Sequence, residues 1–121
     1  MNYQEILIEG SKILKLNNIK SFNLDSELIL SSTLNIGRSD IILNLEKKIK
    51  KNETRNFFNL IARRKKNEPI AYITGYKDFW KNKFKVNSNV LIPRPDSETL
   101  VEQVLNEISI NSKKKILDIG T

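Results

Sequence analysis

Across its first 66 residues the chain repeats one pattern: apolar side chains three or four positions apart, in four runs joined by a few polar residues. Such spacing lays a stripe along one side of an α-helix, and short stripes of this kind are buried by packing against one another. Residues 3–16 place Tyr3, Ile6, Leu7, Ile13 and Leu14 on one face together with Gly10, and the polar pair Asn17-Asn18 ends the run. Asn23 is the expected N-cap of a second helix, because its side-chain oxygen can accept an unpaired backbone N–H. Asp25 and Glu27 then fall in the first turn, where the helix dipole favours negative charge. This helix carries Leu24, Leu28, Ile29 and Leu34 and is predicted to stop at Gly37. Ser39 can cap a third helix, with Ile41, Ile42, Leu45 and Ile49 along one stripe. A fourth is predicted from about Asn52, burying Phe57, Phe58 and Ile61 before it frays into Arg63-Arg64-Lys65-Lys66. Four short helices with brief connections make a compact bundle. Its carboxylates are expected singly at caps or on polar faces, so the bundle reads as a recognition or positioning domain.

The texture changes at Pro69. Residues 69–74 suit one or two helical turns, with proline near the first helical position and Gly75 as the stop. Asp78-Phe79-Trp80 and Phe84-Lys85-Val86 then bracket Lys81-Asn82-Lys83, which predicts two short strands and a turn; Asn82 tolerates the left-handed conformation such a turn often needs. Val90-Leu91-Ile92 is expected to be extended, since the following Pro93 disfavours helical geometry before it. From Asp96, the residues Leu100, Val101, Val104, Leu105 and Ile108 predict another helix, with Asp96 and Glu98 at its start. Lys114 to Thr121 reads as a strand running into a glycine turn. A lone parallel strand has no partners, so residues 115–121 are expected to be disordered or to borrow pairing from elsewhere.

Composition narrows the chemistry. The sequence has neither cysteine nor histidine, which excludes disulfides, thiolate catalysis, a Ser-His-Asp triad and ordinary zinc sites from these 121 residues. Apolar residues at 39% and charged residues at 29% place it among globular chains rather than disordered ones. No run approaches the ~20 apolar residues of a membrane span. The start, Met1 to Glu5, lacks the charged and apolar regions of a signal peptide, so cytoplasmic residence is the expectation. Of the net charge of +7, most lies before Pro69, where thirteen basic side chains face eight acidic ones. Lys47-Lys48-Ile49-Lys50-Lys51 and Arg63-Arg64-Lys65-Lys66 are the two clusters. Either could contact phosphates, or simply form a solvated helix surface; no aromatic and glycine interleaving of an RNA-stacking platform accompanies them.

The string Glu68-Pro69-Ile70-Ala71-Tyr72-Ile73-Thr74-Gly75, then Phe79-Trp80, Phe84-Lys85-Val86 and Leu91-Ile92-Pro93-Arg94-Pro95-Asp96-Ser97-Glu98 resembles the HemK/PrmC family. These are methyltransferases that modify the glutamine of the Gly-Gly-Gln motif in peptide chain release factors. Ile116-Leu117-Asp118-Ile119-Gly120-Thr121 is similar to the first half of the family's cofactor motif, Asp-x-Gly-Thr-Gly-x-Gly. Asp25 to Leu30 looks like its second helix. The Asp118-x-Gly120 turn is a weak signal alone; two prolines around Arg94, which fix a guanidinium just before a helix, are a strong one. Ser97 stands where the family usually has threonine, which keeps the hydroxyl, and Lys81 replaces a small residue. The rest of the glycine loop, the acidic residue for the ribose and the Asn-Pro-Pro-Tyr motif do not occur in this sequence.

The resemblance implies a mainly α chain: a helical substrate-recognition bundle over 1–75, a β-hairpin and Pro-Arg-Pro linker over 76–95, and over 96–121 the first helix and strand of a truncated Rossmann-like domain. The implied cofactor is S-adenosyl-L-methionine, approached by a glycine loop because glycine lets backbone come close. Asp118, Gly120, Thr121, Phe79 and Arg94 are the candidate cofactor-binding residues, and Pro93, Pro95 and Glu98 would line the substrate channel. In the family, the Asn-Pro-Pro-Tyr residues orient a poorly nucleophilic amide, so no catalytic residue and no metal ligand is assigned here. The 121-residue chain is expected to be inactive alone and to bind the cofactor weakly or not at all. Implied partners are peptide chain release factors, with ribosome association a further expectation and neither membrane nor direct DNA binding expected. Two rivals stand beside this: a basic helical RNA-binding module, in which Ile92 to Glu98 has no role, and a methyltransferase acting on another protein amide.

Overall fold

A computed structural model of the chain describes residues 1–109 and 111–119. Six helices and one hairpin follow in order: α1 (Tyr3–Leu16), α2 (Phe22–Leu34), α3 (Arg38–Leu43), α4 (Lys51–Lys65), α5 (Ile70–Thr74), β1 (Tyr76–Phe79), β2 (Asn82–Lys85) and α6 (Pro95–Glu107). The expected mainly α architecture with a hairpin and a later helix is present.

The first helix begins with a reciprocal cap. Asn2 Oδ1 accepts from the Glu5 N–H at 2.8 Å, and Glu5 Oε2 accepts from the Asn2 N–H at 2.9 Å, so two orphan donors are satisfied. Two further helix-start amides are met by another segment, with Tyr3 N donating to Lys47 O at 3.0 Å and Gln4 N to Leu45 O at 3.1 Å. Ile49 N returns a bond to Met1 O, and Asn2 bridges antiparallel to Lys48. The predicted long third helix is therefore corrected: α3 stops at Leu43, residues 44–46 turn, with Lys47 N bonded to Asn44 O, and residues 47–49 run beside the start of the chain. Gly37, rather than Ser39, is its N-cap.

Helix α2 packs against α1, α3, α4 and α5. It is capped differently from expectation. Ser21, not Asn23, holds the N-cap position, and its hydroxyl donates to Asp25 Oδ2 at 2.8 Å instead of accepting a backbone N–H. The helix also ends before Gly37, because Asn35 takes the left-handed conformation at φ 54°, one that Asn tolerates better than most residues. Asp25 is the larger correction. Expected at a solvated first turn, it is buried and receives Arg64 Nε at 2.7 Å, while Arg64 Nη1 donates to Glu68 O at 3.1 Å. A buried charge survives only when paired and hydrogen-bonded, so this bond fixes the end of α4 against the start of α2.

The core lies among α1 to α5. Ile6, Leu14, Ile29, Leu30, Ile41, Phe57 and Ile61 are each at most 1% exposed, and each such burial contributes about 1.5–3 kcal/mol over exposure. Gly10 lets α1 approach closely: a methyl group there would lie 2.6 Å from Phe57 Cζ and 2.7 Å from Ser26 Oγ. Helix α6 buries no residue, and Leu100 and Leu105 are exposed. Residues 112–119 form no strand, and Ile116, Leu117 and Ile119 are 66%, 84% and 86% exposed. The predicted strand is thus absent from the described residues; Gly120 and Thr121 lie outside them.

Candidate functional site at the hairpin turn and the proline corner

Gly75 ends α5 in the left-handed conformation, φ 84°, and turns the chain into β1. The strands pair antiparallel with Tyr76 opposite Lys85 and Phe79 opposite Asn82. The turn is therefore Trp80-Lys81, where Lys81-Asn82-Lys83 was predicted: it starts one residue earlier and ends two earlier, and Trp80 rather than Asn82 has the positive φ, 55°. Phe79 and Phe84 lie diagonally across the strands and meet edge to face, centroids 5.9 Å apart, a favourable aromatic geometry. On the opposite face Lys83 Nζ sits 5.2 Å from the Tyr76 ring centre.

Two bonds tie the hairpin to its surroundings. At its base, Val86 is buried and its N–H donates to Gly75 O at 2.9 Å. At its tip, the Trp80 N–H donates to Glu98 Oε1 at 2.7 Å. Of the segment Val90-Leu91-Ile92 expected to be extended, Val90 instead closes a turn over residues 87–90, with Val90 N bonded to Asn87 O and Asn89 N to Asn87 Oδ1. Tyr72 Oη donates to Val90 O at 2.6 Å and anchors that turn to α5.

Pro93 is half-buried, and Arg94 caps α6 with extended backbone at φ −101°, ψ 147°, the geometry a residue before proline prefers. Pro95 occupies the first helical turn, as do the acidic side chains Asp96 and Glu98. Arg94 is exposed, and among the described residues its guanidinium takes part in no ion pair. The corner thus presents a free cation, an aromatic turn and a carboxylate that is already engaged.

Electrostatics divide the two basic clusters. Arg63 pairs with Glu68, Nε to Oε2 at 2.8 Å; that hydrogen bond raises the Arg63 pKa and holds the Glu68 carboxyl below its ordinary value. Arg64 is taken by Asp25. Half of the Arg63–Lys66 cluster is thus spent internally, whereas Lys47, Lys48, Lys50 and Lys51 are all exposed. Among the described residues no group of three acidic side chains could hold a metal, and no helix is long and apolar enough to cross a membrane.

Of the residues singled out from sequence, Phe79, Pro93, Arg94, Pro95 and Glu98 fall at this corner. Asp118 lies in the exposed stretch 113–119, and Gly120 and Thr121 lie outside the described residues. Trp80 and Tyr72 were missed as positioning elements. An aromatic residue at positive φ leaves no signature in sequence, because tertiary bonding overrides its usual preference. Ile116, Leu117 and Ile119, beside Asp118, are open to solvent.

Fold and corner together define a helical bundle extended by a hairpin and a further helix. The PrmC N-terminal domain family model matches residues 5–75, and the chain belongs to that family. It is 41% identical to the release factor glutamine methyltransferase of Clostridium botulinum over 98% of this chain and 42% of the relative. The protein of the same name from Clostridium acetobutylicum is 40% identical over the whole of this chain and 42% of its own length. That of Leptospira interrogans is 39% identical over 96% and 41%. The chain therefore spans about two fifths of the curated relatives it matches.

Proposed function

We propose that this chain is the release-factor-recognising N-terminal part of an S-adenosyl-L-methionine-dependent methyltransferase that N5-methylates the glutamine of the Gly-Gly-Gln motif. The observation that carries the reading is identity near 40% along essentially the entire chain to proteins named for that activity. In this reading residues 1–75 are the recognition bundle and 76–95 the linker. Residues 96–121 open the cofactor domain, with Asp118, Gly120, Thr121, Phe79 and Arg94 bordering the cofactor and Pro93, Pro95 and Glu98 the glutamine channel. The bundle suits recognition because its charged core pair is structural and its surface is cationic. The protein would act in the cytoplasm, near ribosomes. An RNA-binding role is less favoured because Arg63 and Arg64 are engaged by Glu68 and Asp25; action on another protein amide is separated only by substrate.

The test uses purified chain, labelled S-adenosyl-L-methionine and a peptide chain release factor. The expected outcome is association with the release factor, measured by calorimetry, without methyl transfer. Stoichiometric transfer, or no association with any release factor, would overturn the reading.

A further inference from the structure

The hairpin turn needs something its own strands do not supply. Two strands of four residues each are marginal in water by themselves. Every residue of β2 is exposed, and Trp80 holds φ 55°, a left-handed conformation that is unfavourable for a bulky side chain. The base of the hairpin is fixed by Val86 and Gly75, but nothing there restrains the tip. The tip is met from 18 residues away by Glu98, whose Oε1 lies 2.7 Å from Trp80 N. A carboxylate accepting from a backbone N–H is among the stronger hydrogen bonds available to a protein. Asp96 already places negative charge in the first turn of α6, so Glu98 is not needed there for the helix dipole alone. Helix α6 buries no residue, and this bond reaches from its first turn to the hairpin.

We propose that Glu98 is a positioning residue: its carboxylate holds the Trp80 turn in the left-handed conformation and so places the indole at the start of α6, on the same corner as Arg94. Glu98 acts on the turn through the Trp80 amide. The relevance to glutamine modification rests on the reading given under Proposed function; the hairpin–helix bond does not.

Trp80 is the only tryptophan in the sequence, so its fluorescence reports this turn alone. Emission, acrylamide quenching and backbone amide exchange at Trp80 are to be compared in the parent chain, Glu98→Ala and Glu98→Gln, with helical circular dichroism recording the bundle. Glu98→Ala is expected to expose the indole and speed Trp80 amide exchange by about tenfold, the factor that one hydrogen bond of ordinary strength supports. The bundle melt should stay unchanged. Glu98→Gln keeps an acceptor and should restore most of the protection. Unchanged quenching and exchange in Glu98→Ala would overturn the proposal, as would equal loss in Glu98→Gln. Loss of α6 helicity in both variants, with the turn intact, would assign Glu98 to the helix alone and overturn it too. Release-factor binding measured on the parent is a separate arm: its absence would remove the proposed function and leave the positioning result standing.

Discussion

Gly10 carries more of this fold than its lack of a side chain suggests. Alanine is the better helix former by about 1 kcal/mol, so propensity alone would favour Gly10→Ala. The added methyl, however, would meet the ring edge of Phe57 at 2.6 Å and the Ser26 hydroxyl at 2.7 Å, and Phe57 is fully buried. Overpacking of that kind costs about 1–3 kcal/mol. The substitution is therefore expected to lower stability by about 0–2 kcal/mol net, read as a lower urea midpoint; a higher midpoint would mean that α1 can back away from α4. From sequence, Gly10 was legible as a residue on the apolar face, since its place in the three-four spacing is plain. Asp25 was not, because its partner Arg64 is 39 residues away and no local pattern distinguishes a buried ion pair from a solvated first-turn acid.

The Arg63–Glu68 bond joins the end of α4 to the approach to α5 and gives that junction a pH dependence. The Glu68 carboxyl titrates below its ordinary value of 4.5 in the folded chain because Arg63 binds its charged form. A depressed carboxyl contributes stability that is fully present above the unfolded value and lost as pH falls through the lower folded one. Both side chains are about a third or more exposed, so the pair is worth only ~0.2–1 kcal/mol. Arg63→Gln should therefore lower stability at neutral pH by that small amount and flatten the profile below pH 4.5, where the two proteins converge. A steeper acid profile in the variant would contradict the assignment. Helices α1, α4 and α6 were legible because their stripes follow the helical period. The hairpin was legible in kind but its turn was placed one to two residues late, since a turn led by Trp80 looks like strand. The third helix was overextended because Leu45 and Ile49 keep the helical spacing while their backbone bonds to Gln4 and Met1.

For the molecule as a whole, apolar burial is concentrated before residue 87, with Val86 the last buried apolar residue described. Limited trypsin digestion is accordingly expected to cut first at Lys113, Lys114 or Lys115, which are exposed and outside any ladder, and to spare the bundle longer. Mass spectrometry of the early products checks this; first cleavage inside α1 or α4 would put the stability in the wrong half. One feature of the bundle also bears on how it is made. The first residues of α1 find their backbone partners at Leu45 and Lys47, and Met1 just before it is met by Ile49, so α1 cannot complete its start until that stretch has been synthesised. At about 5–20 residues per second on the ribosome, that is a wait of roughly 2–9 s. During it the apolar face of α1 must remain uncovered or be shielded by something else. Assembly of this bundle therefore closes from its middle back onto its beginning, and a stall during translation of α3 would hold the chain in its most aggregation-prone form.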